Sequence, residues 1–201
     1  MRALVLSCVL VAACSQAVPP QEPPTQERAI PASMSDAEME TLRHAAGLLG
    51  TRLKSELQAA MAAGGPVAGI AVCKEAAPAL AASVSEETGF SVGRTALRVR
   101  NPGNAPDAYE TETLNAFIAR AAAGEPVDTL EAHAVIGGEV RYMKAIAMGE
   151  MCATCHGPAL APEVVTALAE TYPEDQATGF LAGEVRGAFT LRRPAQAEPA
   201  P

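Results

Sequence analysis

The chain contains no tryptophan, and only 3% of its 201 residues are aromatic. Hydrophobic residues still make up 49%, so a core can form, but small aliphatic side chains must fill it. Basic residues are scarce as well: 15 Lys and Arg stand against 23 Asp and Glu, for a formal charge of -8. No basic block interrupts that balance. Without a cationic footprint, nucleic acid is excluded as a partner. Histidine numbers three and cysteine five, so metal or redox chemistry must come from a few identifiable positions. The length suits one ordinary domain rather than two.

Arg2 precedes an apolar run from Ala3 to Ala13, too short for a stable membrane-spanning helix. It ends in Val11-Ala12-Ala13-Cys14-Ser15, which resembles a bacterial lipobox. The expectation is a lipoprotein-type signal peptide over 1–13 and lipid on Cys14. That places the protein on the periplasmic side of a bacterial membrane, anchored through its N-terminus. An ordinary secretory signal, giving a soluble periplasmic protein, is the rival. Residues 14–34 carry Pro19, Pro20, Pro23, Pro24 and Pro31 among Gln, Glu, Ser and Thr, the composition of an extended tether. A Pro/Ala tail follows over 193–201. The folded unit is expected over 35–192.

Within it, Ser35-Asp36-Ala37-Glu38 reads as a capping box. A helix follows with an apolar stripe at Leu42, Ala46, Leu49, Leu53, Leu57 and Ala60, stopped by Gly64-Gly65. Residues 67–88 read as a second helix, interrupted near Pro78. Residues 91–100 read as a strand with Arg94, Arg98 and Arg100 on one face and Thr95, Leu97 and Val99 on the other. Asn101 to Asn104 make a turn. Glu110 to Ala123 form a helix ended by Gly124. Residues 131–146 read as a hairpin turning at Gly137-Gly138, with Glu131 opposite Lys144, His133 opposite Tyr142 and Val135 opposite Val140. Pro162 opens a short helix that Pro173 closes. In the last strand Val185, Phe189 and Leu191 share one face, and Glu184, Arg186, Thr190 and Arg192 the other. Strands joined by a hairpin, with helices to one side, predict an α+β domain on an antiparallel sheet.

One motif carries chemistry. Cys152-Ala153-Thr154-Cys155-His156 is the C-x-x-C-H of c-type haem attachment. Two thiols at that spacing meet the two vinyl groups of one porphyrin edge, and the adjacent imidazole faces the iron. A zinc site needs a second cysteine pair, which the chain lacks, and a thioredoxin-like disulfide does not need the histidine. One haem c is therefore expected, with His156 as an iron ligand. The other cysteines sort quickly. Cys8 leaves with the signal, Cys14 takes lipid, and Cys73 is left over. As sixth ligand, Met143, Met148, Met151 and Cys73 all stay open on the residues alone. His44 reads as solvated and His133 as structural.

Several runs in order resemble one family: Val72-Cys73-Lys74-Glu75-Ala76-Ala77-Pro78, Gly93 to Asp107, Tyr142-Met143-Lys144-Ala145-Ile146, Cys152 to Gly157, and Gly183-Glu184-Val185-Arg186-Gly187-Ala188-Phe189. They are similar to the PAS-like c-type haem domain long listed as a domain of unknown function, found alone in exported proteins and fused to signalling proteins. The resemblance implies a PAS-like antiparallel sheet flanked by helices. It implies axial ligation by His156 and by Cys73. Arg94, Arg98 and Arg100 are candidates for pairing the haem propionates.

Two functions follow as expectations. A Cys/His-ligated iron on a PAS-like fold suits a redox or small-ligand sensor for CO or NO, working with a signalling partner protein. A tethered monohaem electron-transfer cytochrome is the alternative, with a redox partner instead. A haem enzyme is not expected, because an iron with both axial positions filled leaves no substrate position.

Overall fold

The computed structural model describes residues 34–194. The expected signal peptide, Cys14 and nearly all of the tether lie outside the described residues, as does the tail beyond Pro194.

The first helix, α1 (Asp36–Thr88), opens on the expected capping box. Ser35 Oγ accepts from Glu38 N at 3.3 Å, and Ser35 N donates to the Glu38 carboxylate at 3.0 Å. Gly64 and Gly65 leave helical geometry, with Gly65 at φ 71°, and divide α1 into two arms. The expected interruption at Pro78 does not occur; the second arm runs straight through it. Pro78 is exposed, and so is Lys74, whose carbonyl has no Pro78 N–H to accept from. Solvent takes that carbonyl at modest cost. Among the described residues α1 alone is long and apolar enough to cross a membrane, but its break falls inside that length.

Four strands form one antiparallel sheet in the order β1-β4-β3-β2: β1 (Ser91–Thr95), β2 (Glu131–Ile136), β3 (Glu139–Ala147) and β4 (Val185–Pro194). The hairpin has the expected register, Glu131 to Lys144, His133 to Tyr142 and Val135 to Val140. Gly137 and Gly138 turn it with φ of 58° and 78°. Helices lie on both faces rather than one. Leu42, Leu49 and Val84 of α1 pack on Val92, Val140, Tyr142 and Leu191. Leu114 and Phe117 of α2 (Ala108–Ala122) pack on Met143, Ala145 and Ala188, which alternate with the first set and so face the other way. Sheet strands that are apolar on both sides need this double cover. Two short helices complete the chain, α3 (Ala153–His156) and α4 (Pro162–Thr171).

Glu110 fixes α2 to the sheet. It closes the helix's capping box with Asp107 and accepts from Thr190 Oγ1 at 2.7 Å and Arg192 Nη2 at 2.9 Å. Burial opposes its ionisation, yet these hydrogen bonds outweigh that and hold the carboxyl below its usual range.

Three expectations about strands change. β1 ends at Thr95, so residues 96–100 do not alternate and the three arginines share no face. β4 runs to Pro194, two residues past the expected end of the folded unit. A bulge also breaks β4: Ile146 pairs with Gly187 but Ala147 with Val185, leaving Arg186 between them. The extra residue reverses the alternation, so Val185 joins the α2 side while Phe189 and Leu191 stay on the α1 side.

Gly187 lies where β4 comes closest to β1. A Cβ there would stand 2.5 Å from the Thr95 carbonyl oxygen. Gly187→Ala should therefore destabilise the fold by about 1–3 kcal/mol, read as a lowered urea midpoint. An unchanged midpoint would show that the two strands can separate freely.

Candidate functional site

The bulged end of the sheet, the first turns after it and the two arms of α1 enclose a cavity of about 660 Å³. That volume is in the range of small-molecule and cofactor pockets, roughly 300–1,000 Å³. The stripe of α1 continues into it through Leu53 and Leu57, and Ile146 and Phe189 supply sheet surface. Gly50 makes room for the Phe189 ring, which a Cβ would meet at 3.0 Å.

The motif residues reach this cavity from a single helical turn. His156 N donates to Cys152 O at 2.9 Å, and Cys155 N to the same carbonyl at 3.2 Å. Positions i, i+3 and i+4 of a helix share a face, and Cys152, Cys155 and His156 all line the cavity. Gly157 permits the turn's exit, since a Cβ there would stand 2.5 Å from Ala153 O. Met148 N then bonds Glu184 O, and Phe180 N bonds His156 O, which seals the loop against residues 177–184.

Cys73 reaches the same cavity from the second arm of α1. The methionines divide. Met143 is buried on the α2 side and Met148 packs with Ala177 and Phe180, so neither reaches the wall, whereas Met151 and also Met61 do. His44 and His133 are exposed and distant from it.

His156 is held in one orientation. Its Nδ1 lies 2.6 Å from Ala177 O, a geometry in which Nδ1–H donates and Nε2 keeps its lone pair, with Arg100 Nη1 placed to donate to Nε2 at 3.4 Å. Burial first, then the Arg186 and Arg100 charges, push its pKa down to about 3, so the ring stays neutral. Burial raises the Cys155 thiol.

The arginines separate into different tasks. Of the three arginines expected as propionate candidates, Arg94 and Arg100 line the cavity and Arg98 does not. Arg98 lies over the Phe180 ring at 4.0 Å and donates to Gln176 O, because the irregular chain after Thr95 turns it outward. Arg100 is buried and structural. It donates to Cys155 O and to Asp175 Oδ2, the latter at 3.0 Å, with 8% and 9% of the two side chains exposed. Asp175 in turn accepts from Ala177 N at 2.8 Å.

Arg186 was hidden from sequence reasoning. Strict alternation put it with Glu184 and Thr190, but the bulge turns it into the cavity. There its Nε lies 3.2 Å from His156 Nδ1 and its Nη1 donates to Arg98 O. Burial, then Arg100 and Arg94, lower its pKa to about 10. A basic residue flanked by Val185 and Gly187 at the end of a strand next to the motif's partner segment was the signal available.

The profile of the Tll0287-like family matches residues 20–194. The chain belongs to the Tll0287-like family. The crystal structure of the cyanobacterial haem protein Tll0287 resembles it with a TM-score of 0.62 at 25% identity, over 82% of this chain and 100% of that one. No curated protein matches. The family match spans the elements that form the cavity of this Tll0287-like chain.

Asp175→Ala should leave Arg100 buried and unpaired, at a cost of about 3–5 kcal/mol in chemical denaturation. The double variant Arg100→Met with Asp175→Leu should recover most of that. If the single variant is as stable as the parent, the ion pair does not hold the loop.

Proposed function

We propose that this chain binds one haem c, attached through Cys152 and Cys155 and ligated by His156 and Cys73, in a PAS-like domain that acts as a redox or small-ligand sensor. The observation that carries the reading is the meeting of Cys73, from the second arm of α1, with His156 and both motif thiols around one cavity. The groups present fit a haem: a neutral imidazole whose Nε2 carries its lone pair towards Arg100 Nη1 at 3.4 Å, three thiols, apolar walls and half-buried arginines suited to carboxylates. A bound haem supplies a one-electron couple and a coordination position for a diatomic ligand.

This chain's own residues set how that position is used. Ala177 O holds the His156 ring through Nδ1, so the histidine side is fixed by the sealed loop. Cys73 sits instead on a helical arm with a glycine joint behind it. With a haem bound, Cys73 would supply a thiolate, which favours ferric iron and would hold reduced iron less firmly, leaving a coordination position to CO or NO. A signalling partner is needed to read that change. We further infer export and a lipid anchor through Cys14, on the lipobox pattern, with the protein on the periplasmic side and no catalytic role.

The intact mass of protein extracted from membranes of a host with c-type maturation should show one haem and one lipid. Cys152→Ala with Cys155→Ala should remove the first mass and Cys14→Ser the second. A full-length product without porphyrin overturns the haem reading.

Absorption spectra of oxidised, reduced and CO-treated protein separate sensor from electron carrier. The sensor loses a ligand on reduction and binds CO; a carrier keeps its ligation and does not. Cys73→Ala should bind CO readily once reduced, and Cys73→Met should raise the reduction potential by roughly 0.2 V or more. If both variants keep the parent spectrum, Cys73 is not a ligand.

A further inference from the structure

Two half-buried guanidinium groups in the cavity wall form no ion pair among the described residues. Arg94 makes no hydrogen bond or ion pair among the described residues, and faces the cavity from β1 opposite Phe189. Arg186 has the Arg98 carbonyl as acceptor for Nη1, but its Nε points at His156 Nδ1. That ring nitrogen cannot both donate to Ala177 O and accept from Arg186. The carbonyl contact, at 2.6 Å against 3.2 Å, takes the proton, and the Arg186 Nε–H is left without an acceptor. The Phe180 ring, 5.1 Å away, offers only a π-face. Arg100 differs, because Asp175 already neutralises it. A half-buried guanidinium facing a largely apolar cavity gains from an opposite charge, so a wall with two such groups suits two carboxylates.

We propose that Arg94 and Arg186 form a clamp for the two carboxylates of one ligand, the propionates of the haem, and that Arg186 links this clamp to His156. The assignment rests on the haem reading of the same cavity. It replaces Arg98 and Arg100 with a residue that only the bulge in β4 brings into place. When Arg186 turns to a carboxylate, His156 Nδ1 keeps Ala177 O as its one partner, and Nε2 remains the metal-binding atom. The clamp thereby favours the imidazole tautomer that ligation requires.

The test uses the full chain with Cys152→Ala and Cys155→Ala, so that binding is reversible. It is titrated with haemin and with haemin dimethyl ester, which keeps the iron and ring but lacks the charged carboxylates. Haemin should bind roughly tenfold or more tightly than the ester, as charge-assisted hydrogen bonds imply. Arg94→Gln with Arg186→Gln should bring haemin down to the level of the ester and leave ester binding within about twofold. Arg98→Gln should keep the preference. Circular dichroism checks that the variants fold. Should the Gln pair unfold, Arg94→Lys with Arg186→Lys keeps the charges, loses the bidentate fork, and should give up part of the preference. Equal binding of the two porphyrins by the parent, or full preference in the variant that folds, overturns the clamp. Binding of neither porphyrin overturns the haem reading itself, and the clamp with it.

Discussion

Arg100 and Asp175 hold together three segments that have no regular hydrogen-bond ladder between them. Arg100 ends the irregular stretch after β1, Asp175 lies beyond α4, and the Cys155 carbonyl that Arg100 also binds belongs to α3. Backbone bonds from Gln176 N to Val99 O and from Phe180 N to His156 O add to the same knot. A buried ion pair of this kind contributes position more than net stability, because desolvation offsets much of its attraction. What it positions is the one helical turn on which two thiols and an imidazole share a face.

The cavity combines apolar walls with an unusual excess of cation. Leu53, Leu57, Ile146 and Phe189 present apolar surface, while Arg94 and Arg186 add positive charge that no ion pair balances among the described residues, beside Arg100 in its pair with Asp175. The excess acts on the neighbours. It helps keep His156 neutral, and mutual repulsion adds to burial in lowering Arg186. On the far side of the sheet the arrangement is reversed: Glu110 and Asp107 meet Arg141 and Arg192 in a closed network. That network locks α2 in place and presents nothing to the cavity.

Local rules made much of this legible in the residues. Ser35 and Glu38, the Gly64-Gly65 break, the Gly137-Gly138 hairpin and its register depend on neighbours in sequence or on one tight turn, and each is present. The grouping of Cys152, Cys155 and His156 is local as well. The residues that escaped depend on where regularity stops. Alternation could not be continued past Thr95, which misplaced Arg98, nor across the bulge, which hid Arg186. Pro78 misled in the other sense, since an exposed carbonyl tolerates the loss of its partner. Cys73 reached the site through tertiary folding of α1 against the sheet, which spacing and periodicity do not record and only the family resemblance of the Val72 to Pro78 run suggested.

The divided helix α1 has a mechanical consequence. Its second arm is pinned at the far end, where Val84 enters the sheet core and Ser85 Oγ accepts from Val92 N at 2.9 Å. At the near end it meets a joint, and just past that joint Gly69 rests against Leu57 and Met61 of the first arm. Cys73 lies between, closer to the joint. The backbone bond missing at Pro78 leaves the arm softest between Cys73 and its anchor. A pull on the Cys73 sulfur therefore loads the joint and the Gly69 contact before it loads the sheet, and the arm behaves as a sprung beam whose compliant end faces the cavity.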